Sequence, residues 1–167
     1  LREDAAVPEG MVQVVDPGTG LSTAVGQTEL SRGDYQRFLN GLSGQLLDEM
    51  LPDAWLDRGE RADQPARGLS YRQARAAAAH LNGHLLSERE FRLAATADLP
   101  LRFPWGNTFE RENLAADPDE LGEPTPVLSR MRGASPYGVV NLLGNVTEIL
   151  GSQPEGALRT VGGHFQS

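Results

Sequence analysis

The segment YGVVNLLGNVTEIL, residues 137–150, is mostly apolar but places Asn141, Gly144, Asn145 and Glu148 among its apolar side chains. A strand buried in a protein core would exclude unpaired amide and carboxylate groups, because burying a polar group without a partner costs free energy. We therefore do not expect a plain core strand here. The polar groups of this segment must face a specific partner.

Length and composition indicate a folded domain with many loops. At 167 residues the chain fits one domain, so we expect a single domain over residues 1–167. Apolar residues make up 39% of the chain and charged residues 23%, which is typical of a globular domain rather than a disordered segment. The 19 glycines and 11 prolines favour a loop-rich architecture in which turns set much of the topology.

Charge and residue types exclude or disfavour several functional classes. The net charge of −8 disfavours nucleic acid as a partner, since phosphate binding needs a basic surface. The sequence has no cysteine, so these residues form no disulfide and supply no thiolate metal ligand. It has no run of about 18 apolar residues, so we expect no membrane insertion by this chain. The start at Leu1, without Met, predicts either a piece cut from a longer chain or a processed, mature form.

Two helices are predicted by their capping residues. Ser70 and Gln73 form an S-x-x-Q capping box before an alanine-rich run, which predicts a helix from Ser70 to about Asn82. Ser87 and Glu90 form a second capping box before another apolar stretch, which predicts a further helix.

The rest of the chain predicts short elements separated by loops. Residues 8–15 predict a strand that enters a turn at 16–20, and Ser31 starts an additional helix. The remaining segments are an aromatic turn at 103–107, a late strand at 157–163 and two long loops. One loop spans residues 110–136, and the other spans residues 41–68 and includes a short helical turn. Helices come early and short extended pieces come late, which favours the α+β fold class.

Several segments occur in an order that matches one known family. These segments are PEGMVQVV (8–15), LSRGDYQRFLN (30–40), QPARGLSYRQARAAAAHLNGHLLSEREFRLAA (64–95), FPWGN (103–107), TPV (125–127), YGVVNLLGNVTEI (137–149) and RTVGG (159–163). Together they resemble the formylglycine-generating enzyme/sulfatase-modifying-factor family. The resemblance implies a C-type-lectin-like α+β fold, loop-rich, with two to three helices packed on small irregular sheets.

The resemblance also implies that the segment 137–150 wraps a structural calcium ion. The residues that match the family's ligands are Asn141 and Glu148 by side-chain oxygen, and Gly144 and Val146 by backbone carbonyl. Calcium takes six to eight hard oxygen ligands, which this set can contribute to. A second calcium site is implied at Asn113 and Asp119 by side chain, and at Leu114 and Leu121 by carbonyl.

An alternative needs no metal. Asn141 and Glu148 would then satisfy backbone N–H groups in an irregular turn. The N-V-T sequence that starts at Asn145 also fits a glycosylation sequon, but inside this packed motif we interpret it as a coincidence.

The oxidase chemistry of the family depends on a cysteine pair that this sequence lacks. In the family's oxidases the two cysteines follow a G-G-S motif, bind copper and convert a substrate cysteine to formylglycine. Here that motif is Gly162-Gly163-His164, the first cysteine position falls on Ser167, and the second would lie beyond it. A serine hydroxyl does not replace a thiolate as a soft Cu(I) ligand. We therefore predict that this chain, as given, is not an enzyme.

The three histidines do not predict a metal centre. His80 and His84 are four positions apart, but the expected helix end at Asn82 means that they need not share a face. The resemblance places His164 beside the family's active-site groove, where we expect a packing role.

The resulting hypothesis is a non-catalytic regulatory or binding module whose partner is another protein. The resemblance includes bacterial members linked to membrane Ser/Thr kinase pathways and envelope complexes, such as periplasmic TagR-type regulators of type VI secretion. Absence of cysteine, acidic charge and the apparently processed start suit a periplasmic or otherwise extracytoplasmic location. Two alternatives stay open: an oxidoreductase of the family whose catalytic part lies outside this chain, and a lectin-like domain that displays a ligand-binding surface.

Overall fold

A computed structural model describes residues 6–55, 61–114, 124–151 and 159–162. The chain begins with an antiparallel hairpin of β1 (Met11–Val15) and β2 (Ser22–Gly26), in which Met11 pairs with Gly26 and Val15 with Ser22. The predicted strand and its turn are thus confirmed. The Asp16 side chain closes the turn by accepting a hydrogen bond from the Gly18 N–H at 2.8 Å.

The helix predicted to start at Ser31 is confirmed as α1 (Arg32–Asn40). The Ser31 hydroxyl caps it by accepting a hydrogen bond from the Asp34 N–H at 3.1 Å. The short helical turn expected within the loop 41–68 is present as a 3₁₀ turn (Asp53–Trp55), but α2 (Gly44–Met50), a helix of seven residues, lies there as well. Met50 is the buried residue of α2, so packing at one end rather than an apolar periodicity stabilises this helix.

Both predicted capping boxes are present. In α3 (Tyr71–His80) the Ser70 and Gln73 side chains each accept a hydrogen bond from the other residue's backbone N–H. In α4 (Glu88–Thr96) Ser87 and Glu90 form the same reciprocal pair. The described residues hold four helices rather than the expected two to three, since α2 is added to the others.

A second, smaller sheet pairs β3 (Glu148–Ile149) with β4 (Thr160–Val161). The late strand predicted for 157–163 is confirmed at 160–161, while residues 157, 158 and 163 lie outside the described ranges. The predicted aromatic turn is also present. The Phe103 N–H donates to the Gly106 carbonyl at 2.9 Å, and the Phe103 and Trp105 rings stack with centroids 5.3 Å apart.

The apolar interior consists of two clusters. One joins the hairpin to α4 and to the segment around Val139 and Leu142. The other joins α1, α2 and α3 around Tyr35, whose buried hydroxyl donates to the Met50 carbonyl at 2.7 Å. With short helices and two small sheets, the fold is the predicted loop-rich α+β architecture. Of the helices described, none has the length and apolar character that crossing a bilayer requires.

Long-range hydrogen bonds fix the segment 137–150 against the hairpin. The Tyr137 hydroxyl donates to the Val15 carbonyl at 2.9 Å, and the Val140 N–H donates to the Gln27 carbonyl at 2.9 Å. The chain that leaves β2 therefore runs beside residues 137–142. This arrangement brings Glu29 next to Asn141.

Candidate metal centre

The polar residues at 141–147 lie in an irregular turn, which ends at Glu148, the first residue of β3. Asn141, Gly144 and Asn145 all have positive φ values, of 58°, 93° and 59°. Asn and Gly tolerate this left-handed region better than other residues, which explains their presence in an otherwise apolar stretch. The Gly144 N–H donates to the Gly162 carbonyl at 2.8 Å, so the turn is held against the strand that precedes Gly162.

The Glu29 side chain binds two residues of this turn. Its two carboxylate oxygens each accept one amide hydrogen bond, Oε2 from Asn141 Nδ2 at 3.0 Å and Oε1 from Asn145 Nδ2 at 2.9 Å. A carboxylate that accepts two such bonds holds both amides in a defined orientation. Glu29 thus connects the segment after the hairpin to two positions of the late turn.

Asn145 is fully buried, with 0% of its surface exposed, and every polar atom of its side chain is used. Its Oδ1 accepts from the Thr125 N–H at 2.9 Å, and its Nδ2 donates to the Thr125 carbonyl at 3.1 Å as well as to Glu29. A side chain in this position is inaccessible to a glycosylating enzyme. The buried position agrees with our interpretation of the sequon as a coincidence.

Two buried oxygens of the turn lack a hydrogen-bond partner within the part of the chain that the structure describes. These atoms are Asn141 Oδ1 and Glu148 Oε2, and Asn141 is only 4% exposed. A buried polar atom without a partner is unfavourable, so it points to a bound group that the protein atoms alone do not supply. The alternative in which both side chains cap backbone N–H groups does not account for these two oxygens.

Gly162 makes room for the Glu148 carboxylate. A Cβ on Gly162 would overlap Glu148 Oε2 and would lie 3.2 Å from the Leu142 carbonyl oxygen, and the φ of Gly162 is +92°. A glycine is therefore required here both by the backbone conformation and by the space that the carboxylate occupies. Glu148 Oε2 and the Leu142 carbonyl oxygen consequently lie next to the same point.

The electrostatics of the site disfavour two ionised carboxylates without a cation. Burial raises the pKa of Glu29 to about 7, although hydrogen bonds from Asn141 and Asn145 lower it in part. Burial, followed by repulsion from the Glu29 carboxylate, raises the pKa of Glu148 well above its usual range. Burial thus disfavours the ionised form of both carboxylates, and a divalent cation would offset their negative charge.

The predicted ligands at this position are in part brought together by the turn. Asn141 and Glu148 present their buried oxygens, and Gly144 lies between them in the same turn. Val146 is half-buried and stands two positions before Glu148. Sequence reasoning missed Glu29 and Gly162. The single acidic residue before the Ser31 cap was the available signal for Glu29, and the strand-terminal glycine pair was the signal for Gly162.

The second predicted site is described only in part. Asn113 is 5% exposed, its Nδ2 donates to Glu110 Oε2 at 2.8 Å, and its Oδ1 has no hydrogen-bond partner among the described residues. Leu114 follows it directly, and its N–H donates to the Arg111 carbonyl at 3.1 Å. Asp119 and Leu121 lie outside the described residues. A second ion at this place stays a prediction.

The histidines of the described ranges have packing and surface roles. The helix α3 ends at His80, whose ring lies 5.3 Å from the Phe38 ring, while His84 Nε2 lies 3.0 Å from Glu90 Oε1. The two histidines therefore do not converge, as expected. His164 and Ser167 lie outside the described residues. Within the described ranges, no three or more His, Cys, Asp and Glu side chains are grouped as metal ligands.

The donor set at residues 141–148 fits a hard cation better than a soft one. Its atoms are carboxylate, amide and carbonyl oxygens, which calcium prefers, and the sequence has no thiolate that would favour copper or zinc. Two nearby carboxylates would balance the charge of one divalent ion. The residues present are thus compatible with the calcium ion that the resemblance implies.

A comparison with protein-family models supports the resemblance. A model described as the sulfatase-modifying factor enzyme 1-like domain (FGE-sulfatase) matches residues 21–164, which is most of the chain. The chain therefore belongs to the sulfatase-modifying factor (FGE-sulfatase) family. No curated protein matches the chain.

Proposed function

We propose that this domain is a non-catalytic regulatory or binding module, stabilised by calcium, that acts by binding another protein. The observation that carries the non-catalytic part is the cysteine-free sequence of all 167 residues. The oxidases that the chain resembles use a pair of thiolates to hold copper. This chain has no thiolate, the soft ligand that those oxidases use to hold Cu(I).

Calcium has a structural role in this proposal. Asn141 and Glu148 would hold the ion by their side-chain oxygens, with Gly144 and Val146 as carbonyl donors. The two unpartnered buried oxygens and the glycine at position 162 support this assignment. An ion bound there would join the late turn to β4, and binding to the folded state alone would raise the free energy of unfolding.

The partner in this proposal is a protein of the bacterial envelope, such as a component of a membrane Ser/Thr kinase pathway of type VI secretion. The net charge of −8 supports a protein partner over a nucleic acid. An extracytoplasmic location agrees with calcium use and with the absence of cysteine. The family resemblance and the composition support both the envelope partner and the extracytoplasmic location.

Oxidase activity is tested with the purified chain. The protein is incubated with Cu(I), oxygen and a cysteine-containing peptide, and the peptide is followed by mass spectrometry for conversion of the thiol to an aldehyde. We expect no conversion above the copper-only control, while an active oxidase of the family converts the same peptide. Conversion by this chain would overturn the non-catalytic assignment.

The partner is tested by crosslinking in a bacterial envelope extract with calcium present. We expect the chain to capture a defined envelope protein, and to lose it when calcium is removed by EDTA. A matched bait, the chain with Glu148→Gln, should capture less of the same protein. Absence of any envelope protein in all three samples would contradict the binding function.

A further inference from the structure

Glu29 is placed to control the orientation of a proposed calcium ligand. Its Oε2 accepts from Asn141 Nδ2 at 3.0 Å, and the second proton of that amide goes to the Val127 carbonyl at 3.0 Å. The donor capacity of Asn141 Nδ2 is therefore filled. Both acceptors lie on the nitrogen side of the amide, so the oxygen is turned away from them.

Flipping the Asn141 amide would be energetically unfavourable. An amide flip would place Asn141 Oδ1 against the Glu29 carboxylate and the Val127 carbonyl, which are both acceptors. In the observed orientation Oδ1 is buried and has no hydrogen-bond partner within the described residues. Glu29 thus determines that an oxygen, and not a nitrogen, faces the place where the cation would bind.

The Glu29 carboxylate is itself held in place. Its second oxygen accepts a hydrogen bond from Asn145, which is fully buried and bound to Thr125, so the carboxylate is fixed in its orientation toward Asn141.

We propose that Glu29 is a positioning residue for the calcium ion: it orients the Asn141 amide so that its oxygen is free to bind the ion. The inference rests on the proposed calcium site. It adds a residue from the segment between β2 and α1, far in sequence from the predicted ligands. Outer-shell partners of this kind typically change metal affinity by about 10–100-fold when they are removed.

The test is calcium affinity of the Glu29→Gln variant, measured by calorimetric titration of the full chain after removal of metal. Glutamine has the same shape as glutamate, but one end of its amide is an acceptor oxygen and the other a donor NH₂ group. Its NH₂ group would therefore face the donor NH₂ group of either Asn141 or Asn145. We expect the Kd for calcium to rise about 10–100-fold. The matched control is Glu49→Gln, which removes a surface ion pair with Arg72 and should leave the Kd unchanged.

A merely structural role for Glu29 is separated by one further measurement. Such a role would lower the midpoint of thermal unfolding equally in EDTA and in calcium, whereas a positioning role also reduces the increase in that midpoint that calcium causes.

The outcomes distinguish this inference from the proposal beneath it. If the unchanged chain binds no calcium, the calcium site itself is wrong. If the unchanged chain binds calcium and Glu29→Gln binds it equally well, or if Glu29→Gln lowers the unfolding midpoint equally in EDTA and in calcium, the calcium site stands and the positioning role of Glu29 is wrong.

Discussion

Glu29 and Asn141 are 112 positions apart in the sequence, yet Glu29 Oε2 accepts a hydrogen bond from Asn141 Nδ2 at 3.0 Å. Glu29 precedes the cap of α1, and Asn141 begins the irregular turn that leads to β3. The contact therefore joins the first third of the chain to its last part. The same hydrogen bond that connects these regions also sets the direction of the buried Asn141 oxygen.

Substitution of Asn145 should destabilise the fold strongly. Asn145→Ala leaves the Glu29 carboxylate and both backbone groups of Thr125 with unmet hydrogen bonds in a buried place. We expect the free energy of unfolding to fall by on the order of 2–4 kcal/mol, measured by urea denaturation in EDTA. The control is Asn40→Ala, since Asn40 is exposed at the end of α1 and bonds only to Gln36 among the described residues. An equal loss in both variants would contradict the role of Asn145.

Gly162→Ala should lower the stability of the fold more than alanine at another glycine of positive φ does. Gly138 and Gly162 have φ values of +83° and +92°, but a Cβ on Gly138 meets open space, whereas a Cβ on Gly162 overlaps Glu148 Oε2. Each variant carries backbone strain of about 1–3 kcal/mol, and only Gly162→Ala also displaces the carboxylate.

We expect Gly162→Ala to have the lower unfolding midpoint and to lose the increase in that midpoint on calcium addition. Gly138→Ala should keep the calcium-dependent increase. Equal midpoints for the two variants, with equal responses to calcium, would show that the Glu148 carboxylate does not occupy the space beside Gly162.

The cap of α4 should contribute measurably to stability. Ser87→Ala removes the acceptor of the Glu90 N–H and should lower the free energy of unfolding by about 1 kcal/mol. Glu90→Gln keeps a side-chain acceptor for the Ser87 N–H, so the capping box survives and the loss should be less than about 0.5 kcal/mol. Thermal unfolding followed by circular dichroism measures both. A larger loss for Glu90→Gln than for Ser87→Ala would contradict the capping assignment.

The ion pair of Arg89 with Asp16 should make stability dependent on pH. The hydrogen bond from Arg89, followed by one from the Gly18 N–H, lowers the pKa of Asp16. A carboxyl group whose pKa is lower in the folded state stabilises the fold above its unfolded pKa, and this contribution is lost as the pH falls through the folded pKa. Arg89→Gln should therefore lower the unfolding midpoint at pH 7, and the difference from the unchanged chain should shrink below a pH of about 4.

Arg61→Gln is the control for this prediction. Arg61 pairs with Asp63, two positions away in the same exposed segment, whereas Arg89 connects α4 to the hairpin turn and also contacts Asp98. We expect little effect of Arg61→Gln at any pH. The assigned role of Asp16 would be contradicted if the unfolding midpoints of Arg89→Gln and the unchanged chain differed by a constant amount from pH 7 down to strongly acidic conditions.

Local signals in the sequence predicted the helix starts and the first strand well. Ser70 with Gln73 and Ser87 with Glu90 satisfy backbone groups within one turn, so the residues that determine these helix starts are neighbours in sequence. The turn after β1 was predictable for the same reason. α2 was missed because it is short and packs mainly through Met50, a contact that depends on the tertiary fold.

The candidate site was predicted by resemblance at Asn141 and Glu148, and the structure adds what neighbours in sequence cannot show. Glu29 and Gly162 reach the turn only through the fold, and neither belongs to a local pattern that signals a metal site. An isolated carboxylate before a helix cap is most often exposed. Its burial against two amides is a property of the tertiary structure, as is the space that Gly162 leaves for Glu148.

The most direct test of the proposed calcium site is a calorimetric titration of the metal-free chain with calcium. The variant Glu148→Gln is titrated in the same way. We predict saturable binding by the unchanged chain and a large loss of affinity in the variant, because one of the two buried carboxylates is neutralised. Calcium at a hundred times its Kd should raise the free energy of unfolding of the unchanged chain by about 2.7 kcal/mol. An unchanged chain that takes up no calcium, or a variant that binds it as tightly, would contradict the assignment of the buried Asn141 and Glu148 oxygens to a metal ion.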